Sequence, residues 1–256
     1  MQLQTPGTVW SRIEELVRTE PGGVVATDGD GTLWTGDVGE DMFHAFLDHG
    51  RVDPPAFEAL VRDARAHGLS DAGTGSDVAR GIYNAYLDGR FPEEQLCELM
   101  TWCFAGWSRD EVSAFAREVV DGAALASRFH EEVLSVVTSA RAASVEVVLV
   151  SASPFAVVLE AGSRAGFDAN HVVAARAAYD GEIMQPEVLR PIPYGSGKVT
   201  RLRELVGAER PLYAAFGDNA FDVAMLASAR VAVAVRPKPR LRRQADAVPG
   251  MVELAR

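Results

Sequence analysis

The sequence predicts an α/β protein: a doubly wound parallel sheet with a Rossmann-like core and a helical cap subdomain inserted after the first strand. Short apolar runs alternate with helix-like segments near residue 24 and again from residue 145 onward. Such alternation is typical of parallel strands joined by right-handed crossovers. Between these two parts lie roughly ninety residues without a strand pattern, which is far longer than an ordinary crossover. We therefore place the core in residues 1–35 and 125–256 and the cap in residues 36–124.

The core elements follow from apolar runs of strand length and from apolar residues at helical spacing. We predict strands at 24–27, 145–150, 171–175, 212–216 and 231–235, with a hairpin near Asp180-Gly181. We predict core helices at 8–19, 154–165, 198–206 and 220–227. For the helix at 154–165, Ser153 is the expected N-cap and Pro154 the first helical residue.

The cap is predicted to consist of helices alone. Glycine and proline, which end helices, divide the stretch into short segments. The predicted helices are 40–49, 55–67, 76–88, 92–103, 109–120 and 122–141, the last of which leads back into the core.

Composition and charge exclude several classes of protein. The chain has 256 residues, of which 48% are hydrophobic and 24% charged, as in an ordinary globular protein. A net charge of −11 argues against a nucleic-acid or anionic-membrane partner. No apolar run has the eighteen or so residues of a membrane span, and the N-terminus lacks the pattern of a secretory signal. We expect a cytoplasmic protein, and the sequence leaves its oligomeric state open.

An acidic, glycine-rich turn follows the first predicted strand. This turn is Asp28-Gly29-Asp30-Gly31-Thr32. The carboxyl ends of parallel strands are where α/β proteins bind ligands, so two carboxylates there favour a site. The alternative is a surface turn built from residues that favour turns.

Polar residues at other element ends favour the site. Ser151 follows the strand at 145–150, and Asp218 and Asp222 follow the strand at 212–216. Taken singly, Ser151 is also consistent with a plain strand end, and Asp222 with an acid stabilised by the helix dipole. Lys198 is more unusual, because 23 of the 25 basic residues are arginine and a helix start disfavours a cation. A lysine there indicates that a compact point charge is needed.

Taken together, these segments resemble the haloacid dehalogenase-like superfamily in its phosphatase branch. The resemblance rests on residues 28–33, 147–151, 198 and 217–226, whose order and spacing agree with the family pattern along the chain. The helical insert is similar to the cap of phosphoserine phosphatase relatives. One position departs from that pattern: Phe221 stands where those relatives often carry Asn.

The resemblance implies a role for each matching residue, and it implies Mg²⁺ as the cofactor and a small-molecule phosphate ester as the substrate. Asp28 is then the nucleophile that forms an aspartyl-phosphate, and Asp30 is the general acid and later the general base. Lys198 counts as catalytic and also holds phosphate. The implied phosphate-binding residues are Gly29, Asp30, Ser151, Ala152 and Lys198. The implied metal ligands are Asp28, the backbone carbonyl of Asp30, and Asp218. The implied supporting residues are Thr32, Asn219 and Asp222.

The chemistry of phosphoryl transfer accounts for these residue types. A carboxylate that approaches a phosphate is repelled by about 4 kcal/mol per pair of unit charges at ~4 Å and an effective dielectric of ~20. A divalent cation and a lysine reverse that balance, and a few hard oxygen ligands suit magnesium. Asp30 must carry a proton near neutral pH if it is to act as an acid. A carboxylate two residues after the nucleophile favours phosphoryl chemistry, since family dehalogenases lack one.

The substrate is expected to be chosen beside the acidic turn. Asp37 and Glu40 are placed to meet an ammonium group, with Trp34 nearby for a cation–π contact. That hypothesis points to phosphoserine, phosphoethanolamine or phosphocholine, whereas the alternative makes these acids ordinary helix N-terminal residues. Two other functions stay open: a phosphotransferase that uses the same aspartyl-phosphate, and a catalytically silent binding module on this fold.

Two further features are predicted to be structural. The basic run of Arg236, Lys238, Arg240, Arg242 and Arg243 is interpreted as a solvated surface segment, with docking to an acidic partner or nucleic acid as the alternative. Cys97 and Cys103 are interpreted as core residues.

Overall fold

The computed structural model describes residues 1–256 and contains a seven-stranded sheet in the order β1-β9-β8-β7-β2-β3-β4. The strands are β1 (Gln2–Gln4), β2 (Val24–Thr27), β3 (Glu146–Pro154), β4 (Val172–Ala175), β5 (Ala177–Asp180), β6 (Ile183–Val188), β7 (Leu212–Gly217), β8 (Val231–Ala234) and β9 (Val252–Leu254). Every pairing within the large sheet is parallel, while β5 and β6 form a separate antiparallel ribbon. The predicted α/β fold class is confirmed.

Eleven α-helices flank the sheet or lie in the insert. They are α1 (Pro6–Thr19), α2 (Val38–His49), α3 (Pro54–Ala66), α4 (Gly75–Leu87), α5 (Glu93–Trp102), α6 (Arg109–Gly122), α7 (Glu131–Ala142), α8 (Phe155–Ser163), α9 (Ser196–Val206), α10 (Val223–Ala227) and α11 (Pro239–Arg243). None of them combines the length and the apolar character that a membrane crossing requires.

The sheet is buried on both faces because successive side chains of a strand point to opposite sides. In β2, Val25 belongs to one buried apolar cluster, and Val24 and Ala26 belong to another. In the neighbouring β3, Leu149 and Val150 divide between the same two clusters. The strands at the centre of the sheet are therefore held rigidly, and so are the residues that follow them.

The sequence predicts the helical insert after the first strand, but in the structure it follows the second strand, β2. The true first strand is Gln2–Gln4, which pairs in parallel with Val252–Leu254 at the edge of the sheet. This strand has three residues, two of them glutamine, so it carries no apolar run to mark it.

Five helices, α2 to α6, fill residues 38–122 without any strand, and we call them the cap helices. Their apolar faces are continuous with the core: Phe46 and Leu60 belong to the same buried cluster as Val25 and Leu149. The division into a cap at 36–124 and a core in the remainder stays a prediction.

The predicted helix over 122–141 is interrupted. Helix α6 ends at Gly122, Ala124 adopts a left-handed backbone with φ of +47°, and α7 begins only at Glu131. The intervening chain runs beside the acidic turn, where the backbone amide of His130 donates to the carbonyl of Leu33 at 3.0 Å. Contacts with a distant segment thus override local helix propensity.

Candidate active site

Strands β2, β3 and β7 are neighbours, and their carboxyl ends bring three buried polar residues to one edge of the sheet. Thr27 of β2 pairs with Leu149 on one side and Phe216 on the other, so Asp28, Ser151 and Asp218 follow at similar heights. These three side chains are almost fully buried. Asp28, Asp30, Ser151 and Ala152 line one pocket, together with Asp37 and Glu40 of the cap side.

Lys198 is fully buried between two carboxylates. Its Nζ lies 2.6 Å from Oδ1 of Asp28 and 2.5 Å from Oδ1 of Asp222. Burial alone would lower the pKa of Lys198, but Asp222 and Asp28 raise it further than burial lowers it, so the side chain stays an ammonium. The Phe221 ring lies 5.0 Å from Nζ, so the residue that departs from the family pattern covers this ammonium with an aromatic face.

Both carboxylate oxygens of Asp28 have partners. Oδ1 faces Lys198, and Oδ2 accepts a hydrogen bond of 2.9 Å from the hydroxyl of Thr32, which braces the turn. Burial raises the pKa of Asp28, with Asp222 and Asp218 adding to the effect while Lys198 opposes it. An added cation beside Asp28 would therefore favour the ionised form of this carboxyl group.

Asp30 is held by four donors. Its Oδ1 accepts from the backbone amide of Val38 at 2.7 Å and from Nε1 of Trp34 at 2.8 Å. Its Oδ2 accepts from the hydroxyls of Ser153 at 2.7 Å and Ser151 at 3.2 Å. The carboxyl group thus has a fixed orientation, with one oxygen facing N–H donors and the other facing hydroxyls.

Two expectations about residues that contact Asp30 are wrong. Ser153 does not cap a helix, because β3 continues through Pro154 and α8 begins at Phe155, which leaves the serine hydroxyl free to bind Asp30. Trp34 is fully buried, with its ring edge-to-face on Phe129, so it has no open face for a substrate cation. Its role in the fold is to donate to Asp30.

Asp218 and its surroundings fit a divalent cation. Carboxylate oxygens of Asp28, Asp218 and Asp222 lie within 4.8 Å of one another. Oδ2 of Asp218 lies 2.9 Å from Nζ of Lys238, whereas the buried Oδ1 has no hydrogen-bond partner. A buried carboxylate oxygen without a donor is an available ligand for a hard cation such as Mg²⁺. Burial raises the pKa of Asp218 to about 6, although Lys238 opposes the shift.

Asp222 acts on Lys198 and on the backbone, and it is not a free ligand. Its Oδ1 faces Lys198, and its Oδ2 accepts from the backbone amides of Asp218 at 3.1 Å and Asn219 at 2.9 Å. The side chain of Asn219 caps its own turn by accepting from the amide of Ala220 at 2.7 Å. Both residues therefore support the loop that carries Asp218.

Glycine is required where the two acidic loops meet. Gly31 has a φ of +79°, and a Cβ atom added there would lie 2.2 Å from Oδ2 of Asp218. Gly29 is also tightly enclosed, since its Cβ would lie 2.9 Å from the ring of Trp34. A side chain at Gly31 would push Asp218 away from Asp28, so close approach of the two acids depends on this glycine.

The cap side of the pocket is acidic. Asp37 is the N-cap of α2 and accepts from the amide of Glu40 at 2.9 Å, so the interpretation of Asp37 as a helix N-terminal acid agrees with the structure. Asp37 and Glu40 also line the pocket beside Asp30, together with Glu93 of α5. Burial and the nearby Asp30 raise the pKa of Asp37.

For three residues near the site, the sequence does not predict the contacts that the structure shows. The sequence predicts Ser153 as a helix cap and Lys238 as part of a solvated run, but Ser153 contacts Asp30 and Lys238 contacts Asp218. His130 is buried, with Nδ1 2.7 Å from the carbonyl of Thr32 and Nε2 2.7 Å from the hydroxyl of Thr35. A signal for Lys238 was available: it is the second of the two lysines in a chain that otherwise uses arginine. For His130, no local pattern in the sequence indicates the contact.

The basic run is not simply solvated, because most of its members are paired. Arg236 contacts Glu132, Lys238 contacts Asp218, Arg240 contacts Glu93, and Arg242 contacts Glu253. Cys103 is buried as expected, while Cys97 is half-buried and lines the pocket.

Solved structures with this fold come from several sources. A protein of unknown function from Bordetella pertussis Tohama I has a TM-score of 0.67 and 23% identity, covering 90% of this chain and 97% of its own. A HAD family hydrolase from Salmonella enterica serovar Typhi has a TM-score of 0.56 and 16% identity, with coverage of 94% and 75%. A phosphoserine phosphatase with a phospho-aspartyl intermediate analogue has a TM-score of 0.51 and 15% identity, with coverage of 91% and 93%. At these identities the likeness shows the shared fold.

The fold and the acidic pocket define an α/β protein with a site at the carboxyl ends of its parallel strands and with helices inserted beside that site. The haloacid dehalogenase-like hydrolase family matches residues 25–227, and the chain belongs to that family. Its fold is that of the phosphoserine phosphatases among these hydrolases. No protein of curated function matches the sequence significantly.

Proposed function

We propose that the protein is a magnesium-dependent phosphomonoesterase that hydrolyses a small phosphorylated metabolite through an aspartyl-phosphate on Asp28. The observation that supports this most is the arrangement of two carboxyl groups two residues apart. Asp28 is held between Lys198 and Thr32, and Asp30 is fixed by four donors at the same pocket. One group is thereby prepared to attack phosphorus and the other to transfer a proton.

The first step forms a bond from Asp28 to phosphorus and breaks the bond from phosphorus to the ester oxygen. Asp30 gives its proton to that departing oxygen. In the second step Asp30, now a carboxylate, takes a proton from water; the water oxygen bonds to phosphorus, and the bond to Asp28 breaks. Lys198, Ser151 and the backbone at Gly29 and Ala152 hold the phosphate oxygens throughout. Dividing hydrolysis in this way replaces one difficult step by two easier ones.

The hydrogen bonds of Asp30 favour Oδ2 as the oxygen that carries the transferable proton. Trp34 and the Val38 amide can only donate, so they require Oδ1 to be an acceptor. Serine hydroxyls rotate and can either donate or accept, so Ser151 and Ser153 tolerate Oδ2 with or without a proton. Oδ2 is also the oxygen on the side of the phosphate-binding Ser151.

Asp28, Asp218 and the backbone carbonyl of Asp30 would hold the magnesium ion. When bound, it supplies positive charge that offsets the repulsion between Asp28 and the phosphate. Asp222 keeps Lys198 in place between itself and Asp28, and Phe221 shields that ammonium from solvent.

The acidic cap side favours a substrate that carries an ammonium group, such as phosphoserine or another amino-bearing phosphate ester. Asp37 and Glu40 line the pocket next to Asp30, so an ammonium group beyond the ester oxygen would meet their negative charge. With Trp34 buried, these carboxylates are left as the recognition groups.

Replacing Asp28 tests the proposed function. We expect Asp28→Asn to abolish turnover of p-nitrophenyl phosphate in magnesium buffer, because an amide is not a nucleophile here. Asp246→Asn is the matched control, since Asp246 is exposed and forms no ion pair, and it should retain wild-type turnover. Full activity of Asp28→Asn, or no turnover by the folded wild-type protein with any phosphate ester, would reject the proposal.

A further inference from the structure

Lys238 stands at the mouth of the pocket as a cation that the proposed mechanism does not use. Its side chain is 51% exposed, and its Nζ lies 2.9 Å from Oδ2 of the nearly buried Asp218. An ammonium has three N–H donors, and Asp218 accepts from one of them. The other donors have no carboxylate partner, and Lys238 lines a cavity at the mouth with Asp30, Gly31 and Asn219.

The mouth has walls of opposite charge. Its cap wall carries Asp37, Glu40 and Glu93, and its core wall carries Lys238, Arg240 and Arg243. The ion pair between Arg240 and Glu93, with an N–O distance of 3.4 Å, connects the two walls. Arg243 has no carboxylate within 4.0 Å, so the core wall keeps one cationic group that the protein itself does not neutralise.

The space between the walls exceeds what a phosphate alone needs. This cavity has a volume of roughly 960 Å³, and it shares Asp30, Asp37, Glu40 and Phe221 with the inner pocket. A phosphate held by Ser151 and Lys198 would fill the inner end. The part of the substrate beyond the ester oxygen would then lie between the acidic and basic walls.

We propose that Lys238 and Arg243 form an anion subsite and that the substrate carries a second anionic group, a carboxylate or a second phosphate, beyond the ester oxygen. This inference rests on the proposed function and adds a specificity residue to it. Because the ammonium is a compact point charge on a flexible stem, it reaches such a group while still donating to Asp218. The unusual choice of lysine in a chain that otherwise uses arginine agrees with that double contact.

The rival explanation is that Lys238 serves Asp218 alone. In that case its removal would change metal binding and stability, and it would affect every substrate by the same factor. A set of five esters that differ in the charged groups beyond the ester oxygen separates the two explanations. Ethyl phosphate has no second group, phosphoethanolamine has an ammonium, and 2-phosphoglycolate has a carboxylate. Phosphoserine has both an ammonium and a carboxylate, and ethane-1,2-diol bisphosphate has a second phosphate.

We expect Lys238→Met to raise KM about tenfold for the anion-bearing esters that the wild-type protein uses, since a charge-assisted hydrogen bond is lost. KM for ethyl phosphate and phosphoethanolamine should change by less than about twofold. The carboxylate and bisphosphate arms identify which anion the subsite takes. Magnesium is kept at a concentration that saturates each variant, which removes any effect through Asp218.

Two further variants keep the test decisive. Lys238→Gln retains a donor for Asp218 without the charge, so it should fold like the wild-type protein and show the same selective KM effect. Lys238→Arg should restore most of the preference for anionic esters. Arg18→Met, which removes an exposed arginine of α1 without an ion-pair partner, should leave all KM values unchanged.

The outcomes of the two proposals differ. An equal KM change for every ester in Lys238→Gln, or a wild-type protein without preference for anionic esters over ethyl phosphate, overturns the subsite. Absence of turnover for all five esters in the folded wild-type protein overturns the proposed function itself.

Discussion

Lys198 and Asp28 form an ion pair of 2.6 Å that is almost completely removed from water, and Asp222 completes it from the opposite side at 2.5 Å. The three residues come from segments separated by 170 and 24 positions along the chain. A cation buried between two carboxylates fixes the position of both, so this triad determines where the reactive oxygen of Asp28 lies.

Removing the ammonium should therefore destabilise the protein as well as inactivate it. Lys198→Met leaves Asp28 and Asp222 buried without a counter-charge, and loss of one partner of a buried pair costs about 3–5 kcal/mol. We expect urea unfolding to show a loss of this order and phosphatase activity to vanish. Arg18→Met, on the surface of α1, should unfold like the wild-type protein. A Lys198→Met protein of unchanged stability would show that the pair is not maintained in solution.

Asp218 should make the stability of the metal-free protein depend on pH. Burial raises its pKa to about 6, whereas the unfolded value is ~3.9. The folded protein thus holds this proton more tightly, so the stabilisation is complete below pH ~4 and is lost as pH rises through about 6. We expect the free energy of unfolding in EDTA to fall by roughly 2–3 kcal/mol across this window.

The control for this pH dependence is Asp218→Asn, which cannot titrate at that position and should flatten the decline. Magnesium at about 100 times its dissociation constant should add about 2.7 kcal/mol to the wild-type protein at pH 7. The same addition should do little for Asp218→Asn. An identical pH slope in both proteins would contradict the assignment of the titration to Asp218.

Ser153 should affect catalysis without affecting substrate binding. Its hydroxyl contacts Oδ2 of Asp30 at 2.7 Å, the oxygen to which we assign the transferable proton. Loss of one hydrogen bond of about 1 kcal/mol predicts a three- to tenfold lower kcat for Ser153→Ala, with KM nearly constant. Ser163→Ala is the matched control, because Ser163 is exposed on α8 and bonds only to the helix backbone. A kcat equal to that of the wild-type protein would remove Ser153 from the mechanism.

The sequence predicted the sheet and the place of the acids because both depend on local signals. Asp28 and Asp218 directly follow buried apolar strands, and the carboxyl ends of adjacent parallel strands meet at one edge. Lys198 was predicted from its rarity and its unfavourable helix position, and its complete burial agrees with a need for a point charge.

The errors concern residues whose environment is set by distant segments. Ser153 precedes Pro154, a pairing typical of a helix start, but β3 continues beyond its pairing with β2 to reach Asp30. Trp34 is enclosed by Phe129, which lies 95 residues away and was predicted to be helical. The edge strand at Gln2–Gln4 depends on the opposite end of the chain. None of these contacts has a sequence signal of its own.

In the proposed mechanism, phosphate passes through a covalent bond to Asp28. The most direct measurement is rapid acid quenching during turnover, followed by peptic digestion and mass spectrometry of the peptide that contains residues 28–33. We predict a phosphoryl group on Asp28 that decays at the rate of turnover and is absent in Asp28→Asn. Turnover at the wild-type rate with an unmodified Asp28 at every quench time, or a phosphoryl group on another residue, would show that Asp28 is not the nucleophile.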